Sequence, residues 1–63
     1  MQSRITEHLG RMLTDVTVSS RKEFKKEVRF YKKQGFQVVT RSKDFICLDR
    51  DFETVRIIVI KGR

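Results

Sequence analysis

Six basic residues recur at helical spacing in the middle of the chain. They are Lys22, Lys25, Lys26, Arg29, Lys32 and Lys33. On a helix they would fill one broad sector, although each pair of like charges four residues apart disfavours the helix by roughly 0.2–0.5 kcal/mol. Cations aligned in this way contact phosphates and release the counterions of a nucleic acid. The spacing predicts an anion-binding face for the phosphate backbone of DNA or RNA, with ordinary solvated surface as the alternative.

The helix that would carry this face has clear start and stop signals. Ser20 and Glu23 have the spacing of a capping box, and Gly35 stands where helices commonly end in the left-handed conformation. An apolar stripe runs between them, formed by Phe24, Val28 and Tyr31. We therefore predict a helix over about 21–34, with this stripe facing the core.

Beyond Gly35 the apolar period changes from helical spacing to alternation. The Val-, Ile- and Phe-rich segments predict strands at about 36–41, 45–49 and 52–60. The links between them are short and contain turn residues. Such links favour antiparallel neighbours, so the three strands form a meander.

The first part of the chain is harder to interpret. Four apolar residues at i, i+4, i+7 and i+8, namely Ile5, Leu9, Met12 and Leu13, predict a helix over about 3–14. Gly10 weakens this helix by up to about 1 kcal/mol relative to Ala. The alternating β-branched residues of 15–19 fit either a linker or a short strand.

Together these elements predict a single small α+β domain over 1–63. It has two helices followed by a three-stranded antiparallel β-meander, and the second helix packs on one sheet face. Both faces of the meander carry apolar residues, and monomers seldom expose large apolar patches. The first helix or a second copy of the chain must then cover the other face, so a homodimer is possible.

Length and charge limit the functions open to the chain. Its 63 residues are too few for two folding units, and its fifteen Lys and Arg exceed its eight Asp and Glu to give a formal net charge of +7. This balance favours an anionic partner. No apolar run approaches the roughly 18 residues of a membrane span, and a lone Cys47 fits a reducing compartment. We expect a cytoplasmic protein with no membrane partner.

The residues that could perform catalysis or bind metal are sparse. His8 and Cys47 are the only His and Cys, and neither has an evident partner to activate it. The turn acids Asp49, Asp51 and Glu53 lack the spacing and the Gly of a calcium loop, and Asp is common in turns. We therefore expect no catalytic residues, no metal site and no cofactor.

One resemblance covers about Lys22 to Ile60. A helix, a Gly35-Phe36 break and a three-stranded meander resemble the first half of the small HicA-type mRNA interferases, whose fold is like that of double-stranded-RNA-binding domains. That family carries a His in its first hairpin, and the corresponding residues 41–45 contain none. The resemblance implies at most a non-catalytic relative of that layout.

Two functions follow from these features. The first is a small basic nucleic-acid-binding or regulatory accessory protein that contacts phosphates through the Lys/Arg-rich helix face. The alternative is a non-catalytic interaction module or inhibitor that docks on an acidic protein partner. It would do so through the basic helix or through a sheet edge at 36–41 or 52–60.

Overall fold

Within the residues that the structure describes, 2–8 and 10–60, the chain forms one helix and a five-stranded mixed sheet. These elements are taken from a computed structural model. Their order along the chain is β1 (Gln2–His8), β2 (Arg11–Val18), α1 (Arg21–Lys33), β3 (Gln37–Arg41), β4 (Phe45–Arg50) and β5 (Glu53–Val59). Across the sheet the order is β1-β2-β5-β4-β3. Strands β2 and β5 are parallel, and all other neighbours are antiparallel.

The predicted fold of two helices followed by a three-stranded antiparallel meander is wrong, because the segment 3–14 forms a β-hairpin. Gly10 adopts a φ of +75°, a left-handed conformation that suits the turn between β1 and β2 and interrupts a helix. The supposed helical stripe is not a core stripe either. Ile5 and Met12 are 64% and 42% exposed, and Leu9 lies outside the described residues.

The segment 15–19, which the sequence predicts as either a linker or a short strand, belongs to strand β2 as far as Val18. Val16 and Val18 are buried and pair with Ile57 and Val59 of β5. Their β-branched side chains fit the pleated surface of a sheet better than a helix. Burial in the sheet therefore decides the conformation of this segment.

The three strands predicted after the helix lie within about one residue of β3, β4 and β5, and they form an antiparallel series. They are part of a larger sheet, because β2 pairs with the far side of β5. Strand β5 is consequently central, and the prediction of a free sheet edge at 52–60 is wrong. The edge strands are β1 and β3.

Helix α1 begins and ends at the predicted signals. The backbone N–H of Glu23 donates to Oγ of the N-cap Ser20 at 3.2 Å, while the Glu23 carboxylate reaches back to Ser19 instead of Ser20. At the other end Gly35 has a φ of +97°. The N–H groups of Gly35 and Phe36 donate to the carbonyls of Lys32 and Tyr31, which is the Schellman pattern.

The core lies between α1 and one face of the sheet. Its buried residues are Val16, Val18, Phe36, Ile46, Leu48, Val55, Ile57 and Val59. The predicted stripe of Phe24, Val28 and Tyr31 packs against them, and the Phe36 ring meets the Tyr31 ring edge-on with centroids 5.3 Å apart. Leu48 and Ile57 are both 0% exposed and place the centre of the core where β4 and β5 pair.

The opposite face, here called the open face, is more polar than expected. The side chains of Asp15 and Arg56 are opposite each other on β2 and β5, and their hydrogen bond is 2.9 Å long. Arg11 donates to Thr54 at 2.6 Å and lies 3.4 Å from the carboxylate of Asp49. The predicted first helix does not cover this face, because strands β1 and β2 occupy that part of the chain. The apolar residues Leu13, Phe45 and Ile58 share the face with these polar groups, and cover by a second copy of the chain stays a prediction.

The hydrogen bonds that the Glu23 carboxylate accepts at the start of α1 should make the stability of the fold depend on pH. Hydrogen bonds from the Ser19 backbone and hydroxyl, in that order of size, lower the pKa of Glu23, with a smaller contribution from Lys26. A carboxyl whose pKa is lower in the folded state stabilises the fold above its unfolded-state pKa and loses that effect as the pH falls through its folded-state pKa. Thermal unfolding should therefore show Glu23→Gln to be less stable than the wild type at pH 7, with the difference shrinking in acid.

The control variant is Glu27→Gln, which removes a carboxylate from the same helix away from its N-terminus. A difference in thermal stability between wild type and Glu23→Gln that stays constant from neutral to acidic pH would show that the Glu23 carboxylate does not stabilise the helix start.

Candidate anion-binding groove

Helix α1 lies over β5 and β2, and this position leaves a concave surface beside it over β4 and β3. We call this surface the basic groove; its volume is about 460 Å³. Its apolar lining consists of Phe24 and Val28 from the helix and Ile46 from β4. Its basic lining consists of Lys25, Arg29, Lys32, Lys33 and Arg41. The groove thus combines an apolar surface with five cations.

Four of the six predicted binding residues line the basic groove. Lys22 and Lys26 are also exposed on α1, but they are not part of the lining. Lys25 and Lys32 lie next to Val28 around the helix axis, on the side that turns toward β4, whereas Lys26 lies farther around toward solvent. Lys22 is in the first turn of α1, whereas Lys33, at a similar angle around the axis, lines the groove from the last turn.

Arg41 is the groove residue that sequence reasoning missed. Strand β3 contains a register shift between Val38 and Thr40, so Val38 pairs with Leu48 whereas Thr40 pairs with Cys47. Simple alternation from Val38 would place Thr40 on the helix side. The irregularity instead places Arg41, the partner of Ile46, on that side. A bulge of this kind has no reliable signature in a single sequence.

The cations of the basic groove have no acidic partners among the residues that the structure describes. The ion pairs in this part of the chain are Arg11–Asp49, Arg50–Glu53 and Arg56–Asp15. None of them involves a basic residue of the groove. Acids elsewhere in the described fold therefore do not pair with these five residues, and an external anion would meet uncompensated positive charge.

Two arginine contacts hold the ends of the helix against the sheet. Near the start, the Arg21 guanidinium donates to the carbonyl of Lys43 in the β3–β4 loop at 3.2 Å. Near the end, Arg50 donates to the carbonyl of Gln34 and lies over the Phe36 ring, 4.5 Å from its centroid. These contacts connect the two ends of the helix to β4 and to the loop that precedes it.

The acidic residues do not form a second site. Asp44 is in the β3–β4 loop, at the opposite end of β4 from Asp49 and Asp51, so the turn acids are split between two ends of the sheet. Within the described ranges, no three His, Cys, Asp or Glu residues are grouped so that they could hold a metal ion. Nor does the described part of the chain contain a helix of the length and apolarity needed to cross a bilayer.

Cys47 is a half-buried residue of the open face. Partial burial raises the pKa of its thiol, the nearby Arg56 opposes this shift, and Asp49 and Asp15 add to it. The thiol is therefore protonated at neutral pH, which makes it a poor nucleophile. The side chain of His8, the other catalytic candidate, lies outside the described residues.

Comparisons with protein-family models, with curated proteins and with solved structures find no match for this chain. The five-stranded mixed sheet also differs from the layout on which the resemblance to HicA-type interferases was based. In particular, the parallel pairing of β2 with β5 has no place in a helix followed by an antiparallel meander. The geometry of the chain's own residues is therefore the basis for a functional proposal.

The reactivity of Cys47 gives a direct test of its assignment as a structural residue. Its alkylation by iodoacetamide at pH 7 should be at least several-fold slower in the native protein than in urea, because unfolding removes the burial that raises the thiol pKa. Glutathione measured under both conditions corrects for the effect of urea on the reagent. Equal rates for native and unfolded protein would show that the fold does not protect this thiol.

Proposed function

We propose that the protein binds nucleic acid through phosphate contacts in the basic groove. The observation that carries this proposal is the collection of five cations from α1 and β3 around one concave surface, none of them in an ion pair within the described residues. Lys and Arg side chains that follow a groove neutralise phosphates irrespective of base sequence. A small regulatory or accessory role in the cytoplasm fits this chemistry and remains part of the proposal.

The residue types in the groove favour contact with the phosphate backbone of a nucleic acid over recognition of its base edges. Specific readout in the major groove of DNA commonly uses Arg, Asn and Gln aimed at base edges from an inserted helix. Here three of the five cations are Lys, and α1 packs with one side on the sheet. Affinity should therefore depend strongly on salt and weakly on sequence.

The salt dependence has a predicted size. If all five cations neutralise one phosphate each, log K against log salt concentration should have a slope of about −3.5 for a single strand and about −4.5 for B-form DNA. Fewer contacts would give proportionately shallower slopes.

Two matched double variants separate the groove from general positive charge. Lys25→Glu with Lys32→Glu changes the groove, whereas Lys22→Glu with Lys26→Glu changes the same helix outside it. Each substitution removes two units of charge, so both doubles lower the formal net charge from +7 to +3. The groove double should weaken oligonucleotide binding roughly tenfold or more beyond the control double and flatten the single-strand salt slope by about 1.4.

The measurement is a fluorescence-anisotropy titration with labelled single-stranded RNA and duplex DNA at several salt concentrations, with circular dichroism to check folding. Equal losses in the two doubles would mean that net charge, and not the groove, determines binding. Absence of binding to both polymers at low salt would remove the nucleic-acid proposal.

A second candidate is a protein partner that docks on β3. This strand pairs with β4 on one side, is the edge of the sheet and has all five of its residues exposed. An exposed edge can accept a strand from another protein, and an acidic partner would also meet the adjacent cations. A partner retained by the immobilised protein after nuclease treatment, and lost in the groove double variant, would favour this candidate.

A further inference from the structure

The basic groove has an apolar interior that phosphate binding alone does not explain. Phe24 and Val28 are half-buried and line the groove together with Ile46, which is only 2% exposed. A volume of about 460 Å³ lies within the range of pockets that enclose small organic groups. Contact with water leaves this apolar surface without a favourable partner. An occupant with a flat apolar part would cover it.

The cations stand on two sides of this apolar surface. Lys25 and Lys32 come from the helix and are seven residues apart, or about 10.5 Å along its axis. Arg41 comes from β3 on the opposite side. A ligand that contacts both the cations and the apolar surface therefore carries several negative charges along its length and apolar groups between them.

We infer that the occupant is a single-stranded nucleic acid with at least one base inserted against Phe24 and Val28 and its phosphates held by the surrounding cations. This inference rests on the proposed function and adds the type of nucleic acid to it. In a single strand the bases are free to turn inward toward an apolar or aromatic surface while the backbone follows the cations. In a duplex the bases are paired and stacked, so it offers this groove only its phosphates.

The charge pattern distinguishes this occupant from an uncharged apolar ligand. An uncharged ligand would leave Lys25, Arg29 and Arg41 without the anions that they are placed to bind. A compact anion such as free phosphate would leave Phe24 and Val28 uncovered. A flexible polymer that alternates phosphates and flat bases meets both requirements.

The test compares three oligonucleotides of equal length at one salt concentration: a normal single strand, an abasic single strand with the same phosphates, and a duplex. The normal strand should bind about 5-fold to 150-fold more tightly than the abasic strand, the range expected from one base–aromatic contact. The two single strands should share one salt slope because their phosphates are the same. The normal strand should also bind more tightly than the duplex.

A matched pair of variants locates the base contact. Phe24→Leu keeps an apolar side chain in the core and removes the ring, whereas Phe30→Leu changes a 51% exposed ring outside the groove lining of the same helix. Phe24→Leu should reduce binding of the normal strand and leave the abasic strand unchanged. Phe30→Leu should leave both unchanged, and thermal unfolding shows whether each variant is folded.

The outcomes separate this inference from the proposed function. Equal affinity for normal and abasic strands, or tighter binding of the duplex, would overturn base insertion while leaving phosphate binding in place. An unaltered preference for the normal strand in folded Phe24→Leu would also overturn it, because the bases would then bind elsewhere. Failure of all three oligonucleotides to bind at low salt would overturn the proposed function itself.

Discussion

The parallel pairing of β2 with β5 determines how the rest of the molecule is arranged. Parallel neighbours cannot be joined by a tight turn, so the chain must cross one face of the sheet between them. Helix α1 makes this crossing and packs over β5 and β2. The chain then continues into β3 at the outer edge and returns through β4 to β5. The pairing thus places the helix to one side of the sheet, and the basic groove is the part of that face over β4 and β3 that the helix leaves uncovered.

This arrangement also separates the charges. Acids on the open face and at the β4–β5 turn form ion pairs with Arg56, Arg11 and Arg50. Such exposed pairs contribute only about 0–1 kcal/mol each to stability. Their acids lie outside the groove and do not pair with its cations. The cations of α1 and β3 face solvent on the other side of the sheet. Five cations that form no ion pair within the described residues therefore lie together at the groove, which would direct an approaching polyanion toward it.

The sequence predicted well those elements whose signals are local. The Ser20 cap, the Gly35 end and the Phe24–Val28–Tyr31 stripe lie within one helix, and the structure has that helix at Arg21–Lys33. The segment 3–14 was predicted wrongly because Ile5, Met12 and Leu13 match a helical stripe as well as a hairpin. The choice between the two depends on the distant strand β5, which pairs with β2 and buries Val16 and Val18. A pairing more than forty residues apart in sequence leaves no local trace in a single chain.

The candidate site shows the same division between local and distant information. Helical spacing identified the cations of α1, but it could not show that Lys25 and Lys32 turn toward β4 while Lys22 and Lys26 do not. Arg41 joins them only because of the irregularity in β3. The apolar surface between the cations arises from the offset of the helix on the sheet, which no sequence pattern specifies.

The most direct test of the central claim is a nuclear magnetic resonance titration of the ¹⁵N-labelled protein with a single-stranded oligonucleotide. If the groove is the binding site, the largest amide shifts should fall on Lys25, Arg29, Lys32 and Arg41, with little change at Asp15 and Arg56 on the open face. Shifts concentrated on the open face, or on Lys22 and Lys26 without Arg41, would contradict the assignment of the basic groove as the binding site.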